Sequence, residues 1–442
     1  MSDLLADLEP IEGFPTVDQM RAFALALADD HPERVSVRDI GVSRGGIPLQ
    51  LLKLSGAAAT QRVLIIGMPH PNEPIGMATI VTLCQRLLAD PAALDATGAD
   101  WYFVPCADAD GTRLNEGWFG GPWTREHYFR HFFRPASDAQ VEWTFPFSTD
   151  GFSVNAPIPE TLALMAAIDE VRPTVLASLH NAEMGGAYFY ATAGADALYP
   201  QLTELCTRYG IPLHLGEPEL PTATVLAPAV FEVPTGQDLY DLATMVGVDP
   251  ADFVSGGNSL DYARTHNDVS GVVIELPYWC DERAGDTSPH PSGLSRREVA
   301  LQGIDAIEAA HLLVAEFHTA ASPLPPGPLS DAVTGWLSHG AASIIGGQRH
   351  EAETDPAFEA PVTVAEQFSV VEELHSIRLR LLGMLLRALP LDSPVREAAE
   401  ETFAEWSAAA AKDDESHVIP IADLVAVQGG SILAALEHAR SR

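Results

Sequence analysis

The chain has 442 residues, a formal net charge of −36, and 47% hydrophobic against 19% charged residues. This length and composition suit one large α/β domain with a smaller one, and they exclude a disordered chain. The acidic balance, with lysine only at Lys53 and Lys412, excludes a general nucleic-acid binder and opposes contact with an anionic membrane surface.

The sequence carries no targeting signal that we recognise. Its first residues lack a basic stretch followed by an apolar run, so we expect no signal peptide, and no apolar run approaches the length of a membrane span. We therefore expect a cytoplasmic protein. The cysteines are scattered and are expected to be buried free thiols, not disulfides or a zinc–thiolate site; they are Cys84, Cys106, Cys206 and Cys280.

The first predicted elements are a helix over residues 14–32 and two strands over 34–40 and 47–54. The turn between the strands contains Gly41-Val42-Ser43-Arg44-Gly45, which also matches the G-x-S-x-G pattern of a serine nucleophile. That motif requires a helix after the serine, and here a strand follows. We therefore interpret the segment as a β-hairpin, and a serine hydrolase lacks the structural context it needs.

A buried strand over residues 63–66 is followed by the loop Gly67–Pro74 and a helix over 75–89. The loop places His70 and Glu73 at the C-terminal end of a strand, where open α/β sheets bind ligands. Both residue types bind zinc, and a catalytic zinc needs three protein ligands and one open position. The alternative is a loop histidine hydrogen-bonded to a nearby glutamate.

The middle of the chain is predicted to alternate strands and helices. A strand over 101–104 precedes a loop-like aromatic segment that extends to about residue 155, either a pocket wall or a satellite core. A helix over 159–171 and a strand over 174–179 lead to His180. A strand over 188–191, a helix over 200–209, an irregular stretch over 216–250 and a short helix near 259 follow. The last core strand, 269–276, places Glu275 near its C-terminal end.

Beyond this strand the pattern is helical. Helices are predicted over residues 296–318, 363–389, 394–411 and 430–439, with a Pro-rich linker over 321–328. We therefore predict two units, 1–320 and a helical C-terminal extension, 329–442. The extension is expected to pack on the first unit or on a second subunit, which makes a homo-oligomer through these helices a candidate arrangement.

Three strand ends thus carry His70 with Glu73, His180 and Glu275. Parallel strands bring their C-terminal ends to one edge of a sheet, so these side chains are expected to meet. Three ligands leave a zinc position for water, and a nearby carboxylate can take a proton from that water. The arrangement would be a complete hydrolytic centre.

Several segments, in this order, resemble motifs of the zinc carboxypeptidase family, the carboxypeptidase A/B type. They are Ile40–Leu49, His70-x-x-Glu73, Asp108–Gly111, Pro159–Thr161, Ser178–Asn181 and Ser255–Tyr262 followed by Ile274–Leu276. The resemblance covers roughly residues 12 to 318. It implies an α/β fold with a mixed, mostly parallel twisted sheet flanked by helices.

The resemblance also implies site residues. One Zn²⁺ per chain would be bound by His70, Glu73 and His180. Glu275 would be the general base that activates the water and then protonates the leaving amine. The alternative for Glu275 is a carboxylate held by a structural arginine.

The sequence departs from the family pattern where the substrate carboxylate binds, because it contains no Asn-Arg dipeptide. We assign polarisation of the scissile carbonyl to Arg125. The expected substrate-binding residues are Arg113, Arg130, Arg134 and Asn155, although any single arginine has a surface role as its alternative. Leu260 takes the position that sets side-chain preference in the family. Asp252 and Phe253 stand where the family has a mobile tyrosine.

The predicted function is zinc-dependent removal of a C-terminal amino acid from peptides. Two alternatives stay open. One is a zinc amidase or deacylase that acts on a small acylated metabolite. The other is an inactive binding protein with the same fold.

Overall fold

The computed structural model describes residues 4–218, 220, 223–412 and 414–442, with the backbone alone for residues 339–344. In these ranges the strands are β1 (Val35–Val42), β2 (Pro48–Leu54), β3 (Gln61–Gly67), β4 (Ala99–Val104), β5 (Phe147–Thr149), β6 (Phe152–Val154), β7 (Val175–His180), β8 (Met184–Gly185), β9 (Tyr188–Ala191), β10 (Val225–Ala227), β11 (Val230–Glu232), β12 (Ser270–Glu275), β13 (Trp279–Cys280) and β14 (His417–Val418). The α-helices are α1 (Val17–Asp30), α2 (Ile75–Ala89), α3 (Pro91–Ala96), α4 (Ala109–Asn115), α5 (Arg125–His131), α6 (Pro159–Val171), α7 (Tyr199–Arg208), α8 (Gly236–Met245), α9 (Pro250–Phe253), α10 (Ser259–Arg264), α11 (Arg296–Ala321), α12 (Pro328–Gly335), α13 (Ala341–Thr354), α14 (Val364–Ala388), α15 (Arg396–Lys412) and α16 (Ile421–Ser441).

The main sheet has the strand order β1-β2-β4-β3-β7-β12-β9-β11-β10. Its centre, β4-β3-β7-β12, is parallel, whereas β2 and β9 run antiparallel to their central neighbours. The predicted α/β class with a mixed sheet is therefore confirmed. The parallel centre brings the C-terminal ends of β3, β7 and β12 side by side.

Alternate residues of the central strands pack against helices on the two faces of the sheet. In β3, Val63 and Ile65 belong to the larger hydrophobic cluster, together with residues of α2 and α16. Leu64 and Ile66 belong to the second cluster, together with residues of α6. Both faces are covered, which explains why β3 is an uninterrupted apolar run. None of the described helices is both long and apolar enough to span a membrane.

The last helix, α16, is longer than predicted and packs on the sheet of its own chain. It begins at Ile421 instead of residue 430. The predicted helix begins too late because Gly429 and Gly430 are weak helix formers and interrupt the helical pattern. Packing overrides that weakness: a Cβ on Gly429 would lie 2.4 Å from Leu5 Cδ1, so glycine permits the close contact. The division of the chain into two domains and the homo-oligomer stay predictions.

The aromatic segment between residues 106 and 155 is a core and not a loop-like pocket wall. Most of its aromatic side chains are buried in the two clusters; they are Trp118, Phe119, Tyr128, Phe129, Phe132, Phe133 and Phe145. The segment also contains α4 and α5, whose N-terminal caps are Asp108 and Thr124.

The stretch predicted as irregular, 216–250, likewise contains regular elements, namely β10, β11 and α8. The prediction missed these elements because they are short, and because the surrounding glycines and prolines indicate loops more strongly than the capping residues indicate helices.

The G-x-S-x-G segment forms the β1–β2 turn, as predicted. Ser43 Oγ donates a hydrogen bond to Asp110 Oδ1 at 2.9 Å, and the Gly45 amide donates to Asp110 Oδ2 at 2.6 Å. The Arg44 amide donates to Glu160 Oε1 at 2.9 Å. Two carboxylates from distant parts of the chain therefore hold the turn, and the Ser43 hydroxyl has a structural use.

We expect Ser43→Ala to lower the free energy of unfolding by about 1–2 kcal/mol, because it removes a partly buried hydrogen bond to the Asp110 carboxylate. Chemical denaturation measures the change. Ser36→Ala, at an exposed position of β1, is the control and is expected to have no measurable effect. Equal stability of the Ser43 variant and the wild type would contradict the structural role.

Candidate metal centre

The predicted residues lie at adjacent strand ends of the sheet. His180 is the last residue of β7 and is the register partner of Glu275, the last residue of β12. On the other side of β7, Leu179 pairs with Gly67 of β3, from which the loop with His70 and Glu73 leaves. The sheet therefore brings the three segments together, as the strand-end argument predicted.

The nitrogen and oxygen donors of His70, Glu73 and His180 converge on one point. His70 Nδ1 lies 3.1 Å from Glu73 Oε1 and 3.1 Å from His180 Nδ1, and His180 Nδ1 lies 3.0 Å from Glu73 Oε2. Donors arranged tetrahedrally around zinc, at about 2.0–2.1 Å from the ion, lie about 3.3 Å from one another. Two imidazoles and one carboxylate at these separations fit a zinc ion and leave its fourth position open.

The electrostatics of the cluster favour a cation. Burial and the Arg134 charge lower the pKa of His70 to about 3. Burial also lowers the pKa of His180, but the carboxylates of Glu73, Glu275 and Glu142 together outweigh it and raise that pKa to about 9. The carboxylates around the two imidazoles thus favour a positive charge, which a proton on His180 supplies. A bound metal ion would take the place of that proton.

The loop that carries His70 and Glu73 is held rigidly. The Ala107 amide donates to Gly67 O at 2.8 Å, and the Asp108 amide donates to Met68 O at 3.0 Å. Met68 has a φ of 52°, an unusual conformation for a residue with a side chain. Every residue from Gly67 to Pro74 is buried. The surrounding structure therefore fixes the direction in which both ligand side chains leave the backbone.

Two tyrosines and two asparagines that the sequence analysis did not single out support this loop. Asn72 Nδ2 donates to Tyr128 OH at 3.2 Å. Tyr278 OH lies 2.8 Å from Asn72 O and 3.0 Å from Asn181 Oδ1. Asn181 Oδ1 also accepts from the amide of Ile75, at the start of α2, at 3.2 Å. Asn72 and Asn181 stand next to the predicted ligands in sequence, which was the one available signal.

Other polar residues surround His180. Ser178 Oγ lies 3.0 Å from His180 Nε2, the ring nitrogen that faces away from the other ligands. Glu142 is buried and accepts a hydrogen bond from Ser259 Oγ at 2.6 Å. Burial raises the pKa of Glu142, and the positive charge of His180 partly offsets that rise. No role is predicted from the sequence for Ser178, Glu142 or Ser259.

Glu275 lies beside the ligands. Its side chain is 8% exposed, and its Oε1 atom lies 3.6 Å from His180 Nδ1. Its position at the end of β12, next to the end of β7, is the one the sequence predicted.

Among the four candidate arginines, only Arg134 forms an ion pair with the cluster in the described part of the chain. Its Nη2 atom lies 3.4 Å from Glu73 Oε1, and its side chain is 13% exposed. The other three pair elsewhere: Arg113 with Asp18, Arg125 with Glu372 and Asp414, and Arg130 with Glu126 and Glu400. The assignment of carbonyl polarisation to Arg125 therefore loses its geometric support, because α14 holds its guanidinium.

The two remaining predicted residues are not near the ligands in any described contact. Asn155 is exposed in the chain that follows β6. Leu260 is fully buried in the second hydrophobic cluster, where its Cδ2 atom lies 2.3 Å from the position that a Cβ on Gly271 would take. Leu260 thus fills the space above a glycine of β12, and this packing gives no support to a contact with substrate.

The sequence of this chain is similar to those of known proteins. Residues 20–278 match the family model Peptidase_M14, zinc carboxypeptidase. Zinc carboxypeptidase A 1 from Anopheles gambiae is 30% identical over 213 residues, 46% of each chain. Carboxypeptidase B from Astacus astacus is 31% identical over 97 residues, 21% of this chain and 32% of that protein. The chain thus spans less than half the length of the relatives it matches.

Solved structures with detectable similarity include two carboxypeptidases. Carboxypeptidase A from Helicoverpa armigera has 16% identity and a TM-score of 0.40, over 64% of this chain and 76% of that chain. A metallo-carboxypeptidase from Burkholderia cenocepacia has 15% identity and a TM-score of 0.39, over 61% of each chain. The matched family model spans more than half of this sequence, including all three candidate ligands and Glu275, so the chain belongs to the zinc carboxypeptidase family, which uses one zinc ion.

Proposed function

We propose that the chain is a zinc-dependent hydrolase that removes the C-terminal residue of a peptide. The observation that carries the proposal is the convergence of donor atoms of His70, Glu73 and His180 within 4.8 Å of one another. These three residues would hold the metal. Zinc, when bound, polarises a carbonyl group and lowers the pKa of a water ligand towards about 7.

Glu275 is the proposed general base. It lies at the metal ligands without being one of the three, so its carboxylate can accept a proton from the attacking water. The same carboxylate can then deliver the proton to the amine that leaves. Its Oε1 atom lies 3.6 Å from His180 Nδ1, and this proximity to the metal ligands supports the assignment.

Arg134 is the proposed electrophilic group, in place of Arg125. Its guanidinium reaches the Glu73 carboxylate from a partly exposed position. A fixed positive charge there would stabilise the negative charge that develops on the substrate carbonyl oxygen.

A zinc amidase is the second candidate function. A carboxypeptidase needs a cation for the substrate carboxylate, and Arg113, Arg125 and Arg130 are all engaged in ion pairs elsewhere. An amidase that acts on a small acylated substrate has no such requirement.

Two probes distinguish these functions: an N-blocked dipeptide that ends in Phe, and the same dipeptide with an amidated C-terminus. Release of Phe from the free acid alone supports the carboxypeptidase. Hydrolysis of both probes favours the amidase. Bound zinc without hydrolysis of either probe contradicts the carboxypeptidase proposal for such substrates and favours a binding role.

His180→Ala is expected to weaken zinc binding by more than about 100-fold, since loss of a ligand costs more than loss of a supporting residue. Zinc per chain, determined by elemental analysis after dialysis, measures the effect. His266→Ala is the control, because His266 lies on the surface and pairs with Asp169. Full zinc content in the His180 variant would refute the ligand assignment.

Glu275→Gln is expected to lower kcat by about 10²–10⁴-fold while zinc content stays at the wild-type level, because an amide cannot accept the proton. Glu282→Gln, at an exposed position shortly after it in the chain, is the control and should retain activity. Turnover close to that of the wild type in the Glu275 variant would remove this residue from the mechanism.

Arg134→Lys is expected to lower kcat by about 10²–10³-fold with a smaller change in KM, because the planar donor that stabilises the developing charge is lost. Arg130→Lys is the matched control. Separate measurement of kcat and KM on the Phe dipeptide tests the assignment. A rise in KM with unchanged kcat would instead identify Arg134 as the group that binds the substrate carboxylate.

A further inference from the structure

Helix α16 packs on the central strands that carry the metal centre. Helix α16 follows the family-matched region by more than a hundred residues, yet it packs against α2, β3, β7 and β12. These elements carry or adjoin the candidate ligands. The buried face of α16 is mostly aliphatic, with Leu424, Val425, Val427 and Ile432 in the main cluster.

The polar side chain of Gln428 interrupts this aliphatic face. It has no solvent exposure. Its Nε2 atom donates to the backbone oxygen of His180 at 3.2 Å, and its Oε1 atom accepts from Thr79 Oγ1 at 2.7 Å. Burying an amide among aliphatic side chains is costly unless both ends are hydrogen-bonded, and here both ends are.

The two partners of Gln428 belong to the two segments that carry the ligands. His180 ends β7 and is itself a ligand. Thr79 lies in the first turns of α2, which starts directly after the loop with His70 and Glu73. Gln428 is therefore a cross-link between the two segments, and the separation of the ligand donors depends on how those segments lie relative to each other.

A second C-terminal helix contacts the same region. Arg380 of α14 donates through Nε to Glu183 Oε1 at 2.8 Å, three residues after His180. Tyr128, the partner of Asn72 in the ligand loop, donates to the same oxygen of Glu183. The C-terminal helices thus contact the polar groups next to both ligand segments at two independent points.

We propose that Gln428 is a positioning residue of the metal centre. By holding the His180 carbonyl and the Thr79 hydroxyl, it fixes the donor geometry and thereby raises the affinity of the site for zinc. The inference rests on the proposed function of the site. It makes the C-terminal helix, which lies outside the matched family region, a functional part of the centre.

The test is the dissociation constant for zinc of the full-length protein, measured by competition with a chromophoric chelator. Gln428→Met, of similar volume and without hydrogen-bonding groups, is expected to bind zinc about 10-fold more weakly, as is typical when a supporting contact of a metal ligand is removed. Ser431→Ala is the matched control. Ser431 is equally buried on the same helix, but its hydroxyl donates to Val427 O within that helix.

A second variant and a second readout separate positioning from general destabilisation. Thr79→Val removes the other partner, and its effect is expected to be non-additive with that of Gln428→Met because both break the same cross-link. The visible absorption of the Co²⁺-loaded variants reports ligand geometry independently of turnover. Loss of stability alone leaves the zinc affinity of the folded protein unchanged.

The outcomes are distinct. Weaker zinc binding and an altered Co²⁺ spectrum for Gln428→Met, with Ser431→Ala unchanged, support the inference. Wild-type affinity in Gln428→Met, or an equal loss in Ser431→Ala, overturns it. If Gln428→Met does not fold, Thr79→Val decides by the same criteria. Absence of zinc binding by the wild type refutes the proposed function itself. That result is distinct from failure of the inference about Gln428, which is judged from differences between the variants and a wild type that binds zinc.

Discussion

The carboxylate of Glu73 lies between two imidazoles and a guanidinium, with its oxygen atoms within 3.4 Å of nitrogen atoms of His70, His180 and Arg134. It is almost fully buried, and an ionised carboxylate in such a place is costly unless its charge is compensated. The compensation comes from three separate parts of the chain: the loop after β3, the end of β7 and the segment after α5. The sheet order and the packing of the aromatic core are what bring these parts to one carboxylate.

Much of this centre could be predicted from the sequence, because the signal is local. An apolar run that ends in a histidine, or that contains one glutamate near its end, indicates a strand with a polar residue at its C-terminal end. Parallel pairing of β3, β7 and β12 then brings these ends together. His70, Glu73, His180 and Glu275 were all found by this argument, and the sheet shows why it succeeds.

The remaining residues could not be found in this way, because their environment is set by distant parts of the chain. Arg125 and Arg134 lie nine residues apart in one aromatic segment, and no local pattern distinguishes them. One is held by Glu372, 247 residues away, while the other reaches Glu73. Leu260 follows a family-like motif, but its side chain fills the space above Gly271. Ser43 is an example of a local pattern that misleads. The pattern suggests a nucleophile, but distant carboxylates, those of Asp110 and Glu160, accept hydrogen bonds from the turn that contains Ser43.

The position of Gln428 has a consequence for the order in which the protein is made. Gln428 follows His180 by 248 residues, so all the candidate ligands leave the ribosome long before the side chain that cross-links their segments. A chain synthesised only as far as β12 lacks α16, and its ligand segments lack the hydrogen bonds to Gln428. If Gln428 positions the ligand segments as proposed, the site reaches its full affinity for zinc only after α16 has been synthesised.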